Sequence, residues 1–347
     1  MLFDFEHPNV WEGLRTSKKP IVLYGMGNGC DKVLDICERM GIQIAGVMAS
    51  DSFTRYQDFR GFTVRKESDF DAEPGDYIVG LCFGSSLPDV MEHIREVGRR
   101  HELVVPVVPV AGNEIIDDAF IDAHRGEIAE ACDTLADEES KRVFKGVLDF
   151  LYTGRTGYLD AIESDKAEAL RDILDLRDER YLDLGAYRGD TVDEFLQYAQ
   201  GYQAILAVEP NPKNFRKLSE HIEGIPNAEA VNIGIGGHSG ELTVSTGSGR
   251  MAALNAASGV TVAVTTVDEL DFSPTYIKAD IEGMEGEMLK GAANTLRTKP
   301  KLNIAAYHRS EDFFRLILQV REMNPEYRIF LRKHPYIPCW DLNIYAI

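Results

Sequence analysis

Two groups of polar residues, each at the end of an apolar run, carry the chemistry legible in this chain. In the first, Tyr181 to Leu184 runs into Gly185-Ala186-Tyr187-Arg188-Gly189 and then Asp190-Thr191. Gly185 and Gly189 let the backbone come close to a ligand, and a helix starting at Asp190 and Thr191 offers unpaired N–H donors. One strand later, Val208-Glu209-Pro210-Asn211-Pro212 puts a carboxylate at a strand tip, where it can accept two hydrogen bonds from a ribose diol. A lone acid is more often a capping or solvated group. Its place one strand after a glycine turn favours the ribose role. The second group is Lys278, Asp280 and Glu282, with His308 one strand further on. Carboxylates and an imidazole at neighbouring strand ends suit general acid–base work. Asp280, Glu282 and His308 also fit Mg²⁺ ligation, but the spacing does not give the octahedral geometry that ion requires, and no metal is expected. The plainer alternative is a local Lys278–Asp280 ion pair beside an ordinary loop histidine.

The elements that must position these residues alternate. Ile21 to Tyr24 reads as a strand, Gly25-Met26-Gly27-Asn28-Gly29 as a turn and Asp31 to Met40 as a helix, with further strands at Ile42 to Met48, Tyr77 to Leu81 and Leu103 to Val108 and a helix over Pro88 to Val97. From Arg180 the alternation resumes. Strands are expected at Tyr181 to Leu184, Ala204 to Val208, Glu229 to Ile233, Tyr276 to Ala279, Leu302 to Ala306, Arg328 to Leu331 and Leu342 to Ala346. Helical spacing appears over Thr191 to Tyr198, Pro212 to Ile222, Gly286 to Leu296 and Glu311 to Met323, and Glu241 to Ser245 with Val260 to Val264 reads as a hairpin around a Gly/Ser-rich loop. The fold class is therefore α/β, with two parallel-sheet units. They divide as 1–111, a helical connector 112–178, and 179–347.

At 347 residues the chain is long enough for two cores, and 37 Lys+Arg against 57 Asp+Glu leave a net charge of −20. Such a surface repels a phosphate backbone, so no nucleic-acid partner is expected. Residues 112 to 180 hold 19 Asp+Glu and 9 Lys+Arg, half of that charge. Solvated amphipathic helices explain it, with a dock for a basic partner as the sharper alternative. No apolar run approaches the roughly 20 residues of a membrane span. The start of the chain lacks a secretory pattern, and five scattered cysteines form no C-x-x-C pair. A cytoplasmic location is expected.

Together, D-x-G-A-x-x-G from Asp183, E-P-N-P from Glu209, Val264-Thr265-Thr266-Val267-Asp268-Glu269-Leu270 and Ile277-Lys278-Ala279-Asp280-Ile281-Glu282-Gly283-Met284-Glu285 resemble the FkbM family of S-adenosylmethionine-dependent methyltransferases. The resemblance covers about residues 140 to 347. Ala306-Tyr307-His308-Arg309-Ser310-Glu311-Asp312 and the segments to Tyr345-Ala346 are similar to a branch often found with glycan biosynthesis, although many members carry a glutamate where this chain has Ala306. The resemblance implies a seven-stranded class I methyltransferase sheet in the C-terminal unit. It also implies S-adenosyl-L-methionine as cofactor and methyl transfer to a hydroxyl of a saccharide or related small-molecule metabolite. Carried over, Asp183, Gly185, Ala186, Gly189 and Thr191 would line the methionine and ribose end, Glu209 would hold the ribose hydroxyls, and Asn232 would approach the adenine. An alcohol must lose its proton as it is methylated, so His308 or Asp280 is expected as general base, with Lys278 and Glu282 orienting the acceptor.

The first unit is Rossmann-like, with Gly25-Met26-Gly27-Asn28-Gly29-Cys30 beginning as G-x-G-x-x-G, but Cys30 occupies the third glycine position and Asp51 is only loosely placed as the acidic partner. It either holds a nucleotide or nucleotide-sugar or is a ligand-free scaffold for a homo-oligomer. Two other functions compete: a catalytically silent cofactor-binding scaffold of a glycan pathway, and a nicotinamide-dependent oxidoreductase using the first unit, which the missing glycine disfavours. Nucleobase methylation is disfavoured because Ala279-Asp280-Ile281-Glu282 stands where that class carries N-P-P-aromatic.

Overall fold

The structure is a computed structural model that describes residues 1–244 and 259–347. The Gly/Ser-rich loop expected inside the hairpin, and Ser245 with it, lie outside the described residues.

The N-terminal unit is a five-stranded parallel sheet. Its elements are β1 (Ile21–Tyr24), α1 (Asn28–Met40), β2 (Gly46–Ala49), β3 (Arg65–Lys66), β4 (Ile78–Leu81), α2 (Pro88–Arg100) and β5 (Glu102–Val104). The strand order is β3-β2-β1-β4-β5. Residues of β1, β2 and β4 are almost all buried, as expected of strands covered by helices on both faces. β5 stops at Val104, short of the expected Val108, because Pro106 and Pro109 cannot donate to a ladder. β3 was not legible: two half-buried basic residues carry no strand signal.

Two helices follow, α3 (Asp118–Thr134) and α4 (Glu138–Thr153), each N-capped by an aspartate side chain, Asp117 and Asp137. They are more than a tether. Val143, Phe144, Val147 and Leu148 are fully buried, and Ser140 Oγ accepts hydrogen bonds from the Leu331 N–H (3.0 Å) and from Arg332 (2.7 Å). The acidic face is turned outward and the apolar face closes the C-terminal core.

The C-terminal unit comprises β6 (Arg177–Leu184), α5 (Asp190–Tyr198), β7 (Gln200–Val208), α6 (Pro212–Ile222), β8 (Ala228–Val231), β9 (Gly234–Ile235), β10 (Gly240–Val244), β11 (Val260–Thr265), β12 (Tyr276–Ala279), α7 (Glu285–Lys290), β13 (Lys301–Ala305), α8 (Asp312–Met323), β14 (Ile329–Lys333) and β15 (Leu342–Ala346). Seven strands form one sheet in the order β8-β7-β6-β12-β13-β15-β14. All pairs are parallel except those of β15, which runs antiparallel to both neighbours. β10 and β11 pair antiparallel, as the hairpin reading expected, with β9 added alongside. The helix expected over Gly286 to Leu296 ends at Lys290, and a separate 3₁₀ turn covers Thr295–Thr298. Gly291 follows the last helical residue, and a Cβ there would run into the Gly236 carbonyl.

The strand order reverses between β6 and β12. In open α/β sheets the crevice at the carboxyl ends of such a pair is where ligands bind.

Candidate active site

Gly185, in the left-handed region at φ +84°, turns the chain directly after β6. A side chain there would collide with the carbonyl of Asp280 at the end of β12, so the two strand ends approach as only glycine allows. The Gly185 and Ala186 N–H groups both donate to the Val208 carbonyl at 3.0 Å, which ties the turn to β7. Gly189, at φ +101°, precedes α5, and a Cβ there would press on the His221 ring.

Glu209 follows β7 and is buried, its oxygens accepting the N–H groups of Tyr187 (3.0 Å) and Asn211 (2.8 Å). Burial pushes its carboxyl up to about 7, with those N–H groups pulling the other way. Asp183 is fully buried, one oxygen accepting from the Thr191 hydroxyl and the other without a hydrogen-bond partner. Burial raises it to about 6, opposed by Lys278, its register partner on β12.

One cavity of about 400 Å³ opens at this switch point. Of the residues expected at a cofactor, Gly185, Thr191 and Glu209 line it. Asp183 and Ala186 lie beneath, with Ala186 packed in the core, and Gly189 shapes the helix start without lining the cavity. Asn232 does not line the cavity, and its amide donates to the carbonyls of Glu209 (2.8 Å) and Pro210 (2.9 Å), so both donors hold that turn. Ile233, Gly234 and Ile235 line the cavity there instead. Tyr187 and Asn214 are lining residues that the sequence reading missed. Both lie inside or just after the quoted motifs, which was the available signal.

On the other side of Gly185 the expected catalytic residues come together. Asp280, about one third exposed, accepts from the Tyr307 hydroxyl at 3.2 and 3.3 Å. His308 is buried, its Nε2 lying 3.3 Å from Asp280 and 3.8 Å from Glu282, and its Nδ1 3.0 Å from Glu285. Lys278 Nζ stands 4.0 Å from Asp280. Burial works against charge on His308, but the carboxylates, Glu285 foremost, outweigh it and raise its pKa to about 10. A protonated imidazole donates and does not accept, which favours Asp280 and Glu282 over His308 as the proton acceptor. Glu285 was missed. An acid in the first turn of α7 reads as an ordinary complement to the helix dipole, yet it is fully buried behind His308.

Glu282 and Tyr187, neither a glycine, adopt positive φ (56° and 48°) on the two turns flanking the cavity. This conformation costs about 1–2 kcal/mol each. Such cost concentrates where a site fixes its side chains.

The outer wall is made by Tyr336 and Trp340, whose rings are 5.4 Å apart, and by Lys166, 3.0 Å from Glu194 and 3.6 Å from Asp341. Ser86 and Val110 of the N-terminal unit close it. The Ser85 and Ile337 backbones exchange hydrogen bonds of 2.7 and 3.0 Å, and the Ala111 N–H donates to the His308 carbonyl at 2.8 Å. The N-terminal glycine turn is spent on its own chain. A Cβ on Gly29 would strike the Cys82 carbonyl, and one on Gly25 would come within 3.2 Å of Phe83.

Among the described residues no helix is long and apolar enough to cross a membrane. No curated protein matches the sequence. The crystal structure of methyltransferase FkbM from Methylobacillus flagellatus KT is similar in fold, with a TM-score of 0.73 at 20% identity over 97% of this chain and 92% of that one. Aeropyrum pernix fibrillarin in complex with natively bound S-adenosyl-L-methionine aligns over 52% of this chain and 73% of its own, at 16% identity and a TM-score of 0.35. The family model for the methyltransferase FkbM domain matches residues 183–338, which hold the Gly185 turn, Glu209 and the Asp280–His308 cluster. Residues 183–338 therefore form a methyltransferase FkbM domain.

Proposed function

We propose that the protein transfers a methyl group from S-adenosyl-L-methionine to a hydroxyl of a sugar or related metabolite. The observation that carries this is a single cavity with two chemically different halves meeting at Gly185. On one side Glu209, which also takes a hydrogen bond from the Asn214 side chain, would accept from the ribose diol with its remaining acceptor capacity, with Gly185, Tyr187 and Thr191 around it. On the other, Asp280 and Glu282 would receive the proton of the acceptor hydroxyl while Tyr307 and protonated His308 orient it by donation. The cofactor supplies a methyl group on a sulfonium. The protein's part is alignment of the acceptor oxygen with the S–CH₃ bond, a positioning effect that supplies much of the rate.

The wall chemistry favours an uncharged polyhydroxylated acceptor. Tyr336 and Trp340 offer flat apolar faces, and Glu194, Asp280, Glu282 and Asp341 outnumber Lys166 and Lys278. A phosphate there would meet net repulsion. We divide the chain as 1–111, 112–178 and 179–347, the first unit serving as a wall of the acceptor space.

Incubation with S-adenosylmethionine and a panel of sugars, read by S-adenosylhomocysteine formation, tests the reading. Turnover with a neutral sugar is expected, together with calorimetric binding of S-adenosylhomocysteine; absence of that binding would remove the proposal.

A further inference from the structure

Carboxylates converge on one buried imidazole at the floor of the cavity. Asp280, Glu282 and Glu285 surround His308, and Asp312 is close enough to Glu285 to feel its charge. Burying so much negative charge is costly unless cations share the space. A protonated His308 supplies a single positive charge among them, Lys278 lies 4.0 Å from Asp280, and the Arg309 Nε is taken by the Gly283 carbonyl at 2.8 Å. Glu285 gives the sharper sign. Its Oε1 accepts the Ile281 N–H at 2.8 Å and lies 3.0 Å from His308 Nδ1, while Oε2, in a side chain that is 1% exposed, has no hydrogen-bond partner. A fully buried carboxylate oxygen without a donor is an expensive group to maintain. One ligand atom from each of Asp280, Glu285 and His308 all lie within 4.8 Å of one another.

We propose that Asp280, Glu285 and His308 bind a divalent transition-metal cation, Mn²⁺ or Zn²⁺. Imidazole with two carboxylates suits these ions better than Mg²⁺, which prefers oxygen ligands and keeps several waters. Three protein ligands leave positions open, and Asp280 faces the cavity, which provides both an entry path and a place for an incoming oxygen. A bound cation would take the place of the imidazole proton, so the protonated His308 that donates to the acceptor is the ion-free state of the site. The site does not depend on the methyl-transfer reading, but its role rests on that reading. With an ion held there, Asp280 would serve as a ligand, the ion would make an acceptor hydroxyl more acidic, as it does bound water, and Glu282 would be left to take the proton.

The test uses the whole protein, stripped with a chelator and titrated calorimetrically at pH 8 with MnCl₂ and with ZnCl₂. One ion per chain is expected, with a dissociation constant tighter than about 100 μM. Glu285→Gln and Asp280→Asn should each weaken uptake by about tenfold or more. Asp280 is partly exposed, so its variant keeps the test decisive if Glu285→Gln does not fold. No saturable uptake of either ion, or uptake unchanged by both substitutions, overturns the site. S-adenosylhomocysteine binding is read separately: binding without ion uptake overturns the cation site alone, and ion uptake without that binding overturns the methyl-transfer reading alone.

Discussion

Gly84 lies so close to Trp340 that a Cβ on it would come within 2.7 Å of the indole Cζ3 and 2.9 Å of Pro338. The first unit thus seats an aromatic side chain that lines a cavity built mostly by the second. Gly84→Ala should displace the indole or cost about 1–3 kcal/mol of stability by overpacking. Its expected signature is a raised KM for the acceptor with S-adenosylhomocysteine affinity unchanged, and Trp340→Ala should do the same. Steady-state kinetics alongside calorimetry checks this, and an unchanged KM in both variants contradicts it.

Glu209 sets a pH dependence on the cofactor side. Its carboxyl is pushed up to about 7, and a ribose diol is accepted by the ionised form. S-adenosylhomocysteine affinity should therefore fall as pH drops through about 7 and recover above it. In Glu209→Gln it should be weak and flat over the same range. Calorimetry at several pH values between about 6 and 8 measures both curves.

Asp280→Asn keeps shape and removes the cavity-facing carboxylate that accepts from Tyr307 and lies 3.3 Å from His308 Nε2. A fall in kcat of about 10²-fold or more is expected, with S-adenosylhomocysteine affinity intact. Tyr307→Phe should fall less, since it removes one donor to that carboxylate. Single-turnover assays separate the two, and a near-normal rate in Asp280→Asn removes the carboxylate from the mechanism.

Lys333 is completely buried and lies 3.3 Å from Glu163, which is 23% exposed. Glu163→Ala leaves that ammonium buried without its carboxylate and should cost about 3 kcal/mol. The double change Glu163→Gln with Lys333→Met, which removes both charges, should cost less. Chemical denaturation of the three proteins tests the ordering.

What the sequence made legible follows the reach of each signal. The strand–turn–helix from Tyr181 to Tyr198 and the acid at Glu209 are local patterns, and the structure places them as patterns predict. The outward extension of β6 to Arg177 was not legible, because Arg177-Asp178-Glu179-Arg180 has no apolar alternation. Its pairing is set by β7, whose own first residues are equally polar. Asp280 and His308 were expected near each other because consecutive strand ends share an edge. Ser86, Trp340 and Lys166 reach the same cavity through contacts between distant segments, which periodicity cannot report. Glu285 shows a third limit: its position in the chain is ordinary, and only its burial distinguishes it.

β15 runs antiparallel between β13 and β14, so β14 has no direct place beside β13. During synthesis both strands emerge before the one that joins them. Until Leu342–Ala346 has left the ribosome, β13 keeps an open edge and Ile329–Lys333 has no sheet partner, although both are rich in apolar residues. Such edges are templates for pairing with other chains. Leu342–Ala346 therefore acts as a clasp that closes both apolar edges at once.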